Sequence, residues 1–248
     1  MDPLTISVAS GLRARIETLD MLANNLANAV TNGFKADREF YGLYVSPDAE
    51  AAADGVSNVT TVPVLEKSWT DFSQGLLVPT GNKLDLALSG KGFFAANGSS
   101  GPLYTRNGNF RLSPSGAFVT AEGYPLQTED GKTIQSKSDS PLDVDSVGEV
   151  HQDGQVLGKL RIVDFPANAE VVKQGSAYFR LTDPTIKLAP AATAQVEQGK
   201  IESSNVVAAQ SAVRLVGVMR QFEMLQRAAS LNTDMNRRAV EEVARVNS

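Results

Sequence analysis

Residues 9–30 read ASGLRARIETLDMLANNLANAV, and residues 215–229 read LVGVMRQFEMLQRAA. In the first stretch Leu12, Leu19 and Leu26 recur every seven residues, with Ala9, Ile16, Ala23 and Val30 on the interleaved row. In the second, Leu215, Val218, Phe222, Leu225 and Ala229 keep the same alternation of threes and fours, and Val216 and Met219 widen the stripe. Apolar residues so spaced line one face of a helix and suit packing on other helices. Isolated helices of this length are marginal in water. Each stripe therefore requires the other, or a neighbouring molecule, and the two chain ends read as one assembly module. Asn232 and Asn236 interrupt the second set of rows before Ala239, Val243 and Val246 resume it. Polar residues there either fix register or mark a bend.

Asp2 as N-cap and Pro3 at the first helical position start the first helix, which is expected to run to about Val30. Asn32-Gly33 supplies its stop, with Gly33 at positive φ and Phe34 packed back on the last turn. The second helix is expected from Ser204 to Arg245, capped by Ser204 or Asn205. Between the helices the pattern changes. Ala49 to Ala53 with Asp54-Gly55 reads as a loop, and Val59 to Leu65 as a short extended piece. Leu84, Leu86 and Leu88 then alternate with Asp85 and Ala87, and Gly90-Lys91-Gly92 precedes Phe93-Phe94. Asn107-Gly108, between Leu103–Arg106 and Asn109–Leu112, is a hairpin signal. Ser115-Gly116, Asp130-Gly131 and Asp153-Gly154 mark further turns, and 159–165 and 177–181 read as later strands. Short strands at this spacing imply an α+β chain with a mainly antiparallel β domain, a sandwich or distorted barrel, at 81–203. An extended connector occupies 36–80, and 1–35 with 204–248 form a discontinuous helical coiled-coil domain.

The chain has 248 residues, of which 42% are hydrophobic and 21% charged, enough for a real core and too apolar for global disorder. A net charge of -5 and the lack of a Lys/Arg cluster argue against nucleic acid as a partner. No run approaches the roughly 18 apolar residues of a membrane span, so no membrane insertion is expected. Met1-Asp2-Pro3 lacks the features of a cleavable signal peptide, and taken alone this suggests a cytoplasmic protein. Cys is absent and His151 is the single histidine, which excludes thiol chemistry and disulfides and nearly excludes a His/Cys zinc site. No phosphate loop, nucleophile motif or metal-ligand cluster is present, so no cofactor and no metal are expected.

Three separated motifs carry a resemblance. Ala23-Asn24-Asn25-Leu26-Ala27-Asn28, followed by Gly33-Phe34-Lys35, closely resembles the amino-terminal signature of bacterial flagellar rod and hook proteins. Gln198-Gly199-Lys200-Ile201-Glu202-Ser203-Ser204-Asn205-Val206, leading to Arg220-Gln221-Phe222-Glu223-Met224, is similar to the carboxyl-terminal part of that family. Leu84 to Leu88, Gly90 to Phe94 and Tyr104-Thr105-Arg106-Asn107-Gly108 resemble its central β domain. The order is kept across nearly the whole chain. Val207-Ala208-Ala209-Gln210 departs from the Asn and acidic residues common there.

The resemblance implies a structural subunit of the flagellar basal body, with paired terminal helices in an inner tube and the β domain outside. It implies export by the flagellar type III apparatus without a cleaved signal, which moves the expected location from the cytoplasm to the rod in the periplasmic space. Partners would be other rod subunits and further copies of the chain. Length and a single β region resemble the proximal-rod subunit more than the distal-rod or hook proteins. The assembly interface is expected at Leu12, Ile16, Leu19, Ala23, Asn24, Leu26 and Asn28, and at Leu215, Val218, Met219, Phe222 and Leu225. Phe40 and Tyr44 resemble a loose export-gate motif, or form a buried pair. Two other classes compete. A β-domain glycosidase would use paired carboxylates such as Asp85, Asp143 or Asp145, though Asp at such positions is usually a turn former. A cytoplasmic coiled-coil adaptor explains the helices but not the β region.

Overall fold

The computed structural model describes residues 3–44, 62–138, 140–166, 169–175, 177–183 and 185–246. The fold is α+β, with two long helices and antiparallel strands, in two compact units. The first contains the chain up to Ala27, Asp37–Asp71 and Val207 onward. The second contains Asn28–Ala36 and Phe72–Val206, so the Gly33-Phe34-Lys35 motif belongs with the β domain.

In the first unit, α1 (Pro3–Ala27) packs on α2 (Ala208–Val246), and also meets the strands β1 (Asp37–Tyr44) and β2 (Val62–Thr70). β1 and β2 pair antiparallel, Asp37 opposite Thr70, with a bulge between Phe40 and Tyr41. α2 continues unbroken past Asn232 and Asn236, so the two Asn residues do not end the helix. α1 stops earlier than its apolar pattern does. Residues 28–33 form turns, closed by Thr31 N–H donating to the Asn28 carbonyl at 3.1 Å, and Gly33 has φ +69°.

The centre of the second unit is a six-stranded sheet. Its strands, in spatial order, are Val171–Gln174, Tyr178–Leu181, Gly101–Thr105, Phe93–Gly98, Ile162–Asp164 and Ala189–Pro190. Successive strand residues point to opposite faces. Phe94 and Ala96 thus enter one core with Phe110, Phe118, Leu126 and Leu160, while Phe93 and Ala95 enter another with Tyr104, Phe179 and Leu181. Two buried faces explain why Phe93-Phe94-Ala95-Ala96 is a continuous apolar run. Phe72, Phe93 and Phe179 meet edge to face at 5.3–5.5 Å, a favoured ring geometry. The sheet is open-edged, and no closed barrel forms among the described residues.

The Asn107-Gly108 hairpin does not form. Gly101–Thr105 pairs with Phe93–Gly98 and Tyr178–Leu181, whereas Phe110–Leu112 pairs with Phe118–Thr120 across the Ser115-Gly116 turn. Asn107-Gly108 is a crossing between sheets. Gly108 is required for close approach, since a Cβ there would lie 1.5 Å from the Leu86 carbonyl oxygen. Asp153-Gly154 does form a two-residue hairpin turn, with φ of 50° and 77°, joining Glu149–Gln152 to Gln155–Lys159.

Candidate assembly site

Burial along α1 follows a line offset from the leucine rows. Ala14, Thr18, Leu22 and Asn25 are buried, at spacings of four, four and three. Leu12, Leu19 and Leu26 flank that line half-buried, while Ile16, Ala23 and Asn24 are exposed. A Cβ built on Gly11 would lie 3.6 Å from Leu225 Cδ1, which marks where the two helices meet. On α2, Val218 is buried and Leu215, Phe222 and Leu225 are half-buried, as their spacing implies, whereas Met219 is exposed. The buried amide is Asn25 rather than Asn24. Its Nδ2 donates to the Asp37 carbonyl at 2.8 Å and its Oδ1 accepts from Asp37 N–H at 2.9 Å. This closes β1 onto α1 by satisfying both backbone groups of one residue. Asn28 is half-buried and accepts from Thr31 Oγ1 at 3.2 Å. Asn25 lies in register with Ala14, Thr18 and Leu22, and that row is the sequence signal that could have found it.

The second unit contains a different constellation, built from all three family-like motifs. Glu202 has a fully buried side chain. Its Oε1 accepts from Lys35 Nζ at 2.5 Å and from Gly75 N–H at 2.8 Å, and its Oε2 accepts from Arg106 Nη1 at 3.0 Å. Lys35 Nζ also donates to the Ser73 carbonyl at 2.7 Å, and Arg106 to the carbonyls of Leu88 and Gly90. Burial pushes the Arg106 guanidinium below its usual pKa, and Glu202 pulls it back up. Around this triad the backbone is knotted further. Gly33 N–H donates to the Glu202 carbonyl at 2.7 Å, and Asn205 Oδ1 accepts from Ala36 N–H at 2.8 Å. A Cβ at Gly33 would lie 2.2 Å from Asn107 N, so glycine is demanded by space as well as by φ. Lys173 donates to the Lys35 carbonyl and sits 4.3 Å from the centre of the buried Phe34 ring.

A buried ion group adds little net stability over apolar packing, but removing one member is costly. Segments 33–36, 73–75 and 202–205, which lie beside three of the four places where the chain enters or leaves this unit, are held at one point. Asn205 does not cap α2 as expected. The helix begins at Ala208, and the Asn205 amide is used by Ala36 and Ser73. Arg106, beside the expected hairpin turn, is not a surface turn residue but is buried in this cluster.

The carboxylates considered for catalysis have structural partners. Asp85 is buried and accepts from Thr80 Oγ1 at 2.7 Å and Asn109 Nδ2 at 3.3 Å. Asp143 pairs with Lys83 at the surface, and Asp145 Oδ1 accepts from the N–H groups of Val147 and Glu149. Asp145, Glu149 and His151 place one ligand atom each within 4.8 Å of one another. The Lys159 ammonium pairs with Glu129 at 2.9 Å, and its pKa is raised by that carboxylate and further by Glu149 and Asp145. A cavity of about 310 Å³ in the first unit is lined by Glu17, Thr18, Met21, Asp37, Glu39 and Ser68. Its carboxylates are engaged by Arg13, Thr70 and Arg214 respectively. Phe40 and Tyr44 have their backbone in β1, but their side chains lie outside the described residues. The Ala49–Ala53 loop also lies outside them. No described helix is long and apolar enough to cross a membrane.

Comparison with known proteins agrees with this arrangement. Residues 87–158 match the model of the flagellar hook protein FlgE/F/G D1 domain. The flagellar basal-body rod protein FlgF of Caulobacter vibrioides is 31% identical, over 92% of this chain and 93% of that protein. FlgG of Bacillus subtilis is 31% identical over 86% of this chain and 89% of its own length. FlgF of Salmonella typhimurium is 30% identical over 88% and 90%. Identity of 30–31% over 86–92% of this chain shows that it belongs to the flagellar basal-body rod protein family, with FlgF and FlgG.

Proposed function

We propose that this chain is a structural subunit of the flagellar basal-body rod, of the proximal, FlgF-like kind. In this reading it leaves the cytoplasm through the flagellar type III export apparatus and assembles in the rod with other subunits and copies of itself, transmitting motor torque. The observation that carries the proposal is the pairing of α1 with α2, which joins the chain ends in one unit and leaves apolar side chains on the outer face of each helix. The helical unit is then the coiled-coil assembly domain, and the Glu202 cluster fixes the points where the β domain is joined to it in sequence. The occupied carboxylates fit a non-catalytic role. Phe40 and Tyr44 are the candidate contact with the export apparatus.

The test is a gene deletion in the native bacterium, complemented by an epitope-tagged copy. Loss of motility on deletion, with the tagged chain in purified basal bodies at the rod's inner end, is the expected result. A position at the hook end would assign the chain to the distal rod, and its absence from basal bodies would overturn the proposal. Ala at Phe40 and Tyr44 should lower secretion without unfolding the chain; unchanged secretion removes the export role.

A further inference from the structure

Residues 143–151 read DVDSVGEVH, and strand pairing folds this stretch back on itself. Asp143 lies opposite His151 and Val144 opposite Val150. Asp145 N–H donates to the Glu149 carbonyl at 3.0 Å, which carries the ladder up to the Ser146-Val147-Gly148 turn. Successive residues of a strand alternate between its faces. Val144 and Val150 enter the core with Leu142 and Leu160, so Asp143, Asp145, Glu149 and His151 share the outward face. One oxygen of Asp145, one of Glu149 and one imidazole nitrogen of His151 lie within 4.8 Å of one another. Each of these three side chains keeps an open ligand atom. Asp145 accepts from two N–H groups through Oδ1, which fixes the carboxylate and leaves Oδ2 open. Glu149 Oε2 and His151 Nε2 stand 3.8 Å apart, too far for a hydrogen bond, and neither side chain makes another among the described residues. The neighbouring cations are engaged elsewhere, Lys83 with Asp143 at 2.7 Å and Lys159 with Glu129 at 2.9 Å.

We infer that Asp145, Glu149 and His151 bind one divalent transition-metal ion of the Zn²⁺ class on the β domain, with water completing its coordination. Like charges set opposite each other across an antiparallel pair, as Asp145 and Glu149 are, destabilise it. A cation between them removes that repulsion. Imidazole nitrogen and carboxylate oxygen hold Zn²⁺ at about 2.0–2.1 Å, so its ligand atoms stand about 3.3 Å apart. The Glu149 and His151 side chains are 42% and 33% exposed and can close the remaining gap by rotating about their own bonds. The imidazole selects the metal. Mg²⁺ and Ca²⁺ prefer all-oxygen shells, whereas Zn²⁺ accepts nitrogen and carboxylate oxygen together. Bound there, the ion ties the two strands together beside their turn, a structural clamp with no reaction assigned to it. This departs from the expectation of no metal drawn from the sequence. Three ligands at i, i+4 and i+6 become one set only when the turn brings Asp145 opposite Glu149. The three residues come from a single hairpin, so the inference does not depend on the rod reading.

The test is calorimetric titration of zinc chloride into the purified, untagged full chain after chelator treatment, followed in parallel by proton NMR. His151 is the single histidine, so its ring C–H signals report on the site without any substitution. The expected result is one Zn²⁺ bound per chain, with a shift of the His151 signals that saturates at the same equivalence. His151→Ala and Asp145→Asn should each weaken binding at least as much as loss of an outer-shell partner does, by about 10–100-fold. Asp183→Asn, outside the hairpin, should leave binding unchanged, and Mg²⁺ at equal concentration should not displace Zn²⁺. The substituted side chains face outward, so circular dichroism of the metal-free variants should match the unmodified chain. Should a variant unfold, the His151 signals of the unmodified chain still decide. Absence of saturable binding, His151 signals unmoved by bound zinc, unchanged affinity in a folded His151→Ala chain, or equal binding of Mg²⁺ would each overturn the inference. Uptake only at millimolar zinc would mean an adventitious ion only, and would overturn it as well.

Discussion

Replacement of Glu202 by Ala is the most direct probe of the cluster that gathers three of the four chain crossings. The substitution removes the anion shared by Lys35 and Arg106 and takes the acceptor from Gly75 N–H. Lys35 and Glu202 have side-chain exposures of 0%, and Arg106 of 3%, so water cannot screen the two cations left behind. Breaking a buried pair by deleting one partner costs about 3–5 kcal/mol. Lys35→Met is the contrasting case. Glu202 keeps Arg106, the charges then balance one to one, and the cost falls to about 1–3 kcal/mol, that of losing charge-assisted hydrogen bonds. Domains of this size are stable by only about 5–15 kcal/mol. Each kcal/mol shifts the melting temperature by roughly 2–4 °C. Glu202→Ala should therefore melt about 6–20 °C below the unmodified chain, and Lys35→Met roughly half as far below it. Thermal and urea unfolding of the purified full chain, followed by circular dichroism, measures both. A loss under 1 kcal/mol for Glu202→Ala, or an equal loss for the two variants, would refute the view of Glu202 as the anion that both buried cations share.

Gly33→Ala should be at least as damaging, because its Cβ would strike Asn107 N at 2.2 Å in a φ +69° conformation; a melting temperature within 2 °C of the unmodified chain, about 1 kcal/mol or less, would sink that argument. Asn25→Ala should cost about 1–3 kcal/mol through the stranded Asp37 backbone groups, and Asn24→Ala, at an exposed site, less than that; paired urea titrations decide, and equal effects would show that the Asn25 bonds are not made. Burial, with the Glu122 carboxylate beside it, pushes the Tyr178 phenol well above its ordinary value of 10.0. The folded state therefore holds a proton that the unfolded chain gives up, so stability is lost as pH rises above about 10. Tyr178→Phe should flatten that alkaline decline in a melting-temperature series, and an unchanged slope would assign the decline to other groups.

Much of the architecture was legible in the residues. The helical rows at both ends, the pairing those rows demand and the antiparallel character of the middle all follow from local periodicity and turn chemistry. Asp153-Gly154 was readable because a two-residue turn is decided by its own φ values. Asn107-Gly108 was misleading for the opposite reason. Gly108 is there because the Leu86 carbonyl passes too close for any side chain, and a chain segment distant in sequence sets that constraint. Arg106, at the end of one arm of that expected hairpin, is instead buried beside Glu202.

By itself, the sequence determined the two terminal helices, that their apolar rows need partners, the antiparallel character of the region between them, and which family the motifs resemble. Those properties depend on neighbours within a few residues. Only the tertiary structure decided which side of α1 is covered, that Asn25 rather than Asn24 is the buried amide, and that Lys35, Arg106 and Glu202 form one ion group. Lys35 and Glu202 lie 167 residues apart. A buried charge is tolerable only where its counter-charge arrives from elsewhere in the fold. No local pattern marks such a residue; the charges become a site only when the sheets bring the three segments together.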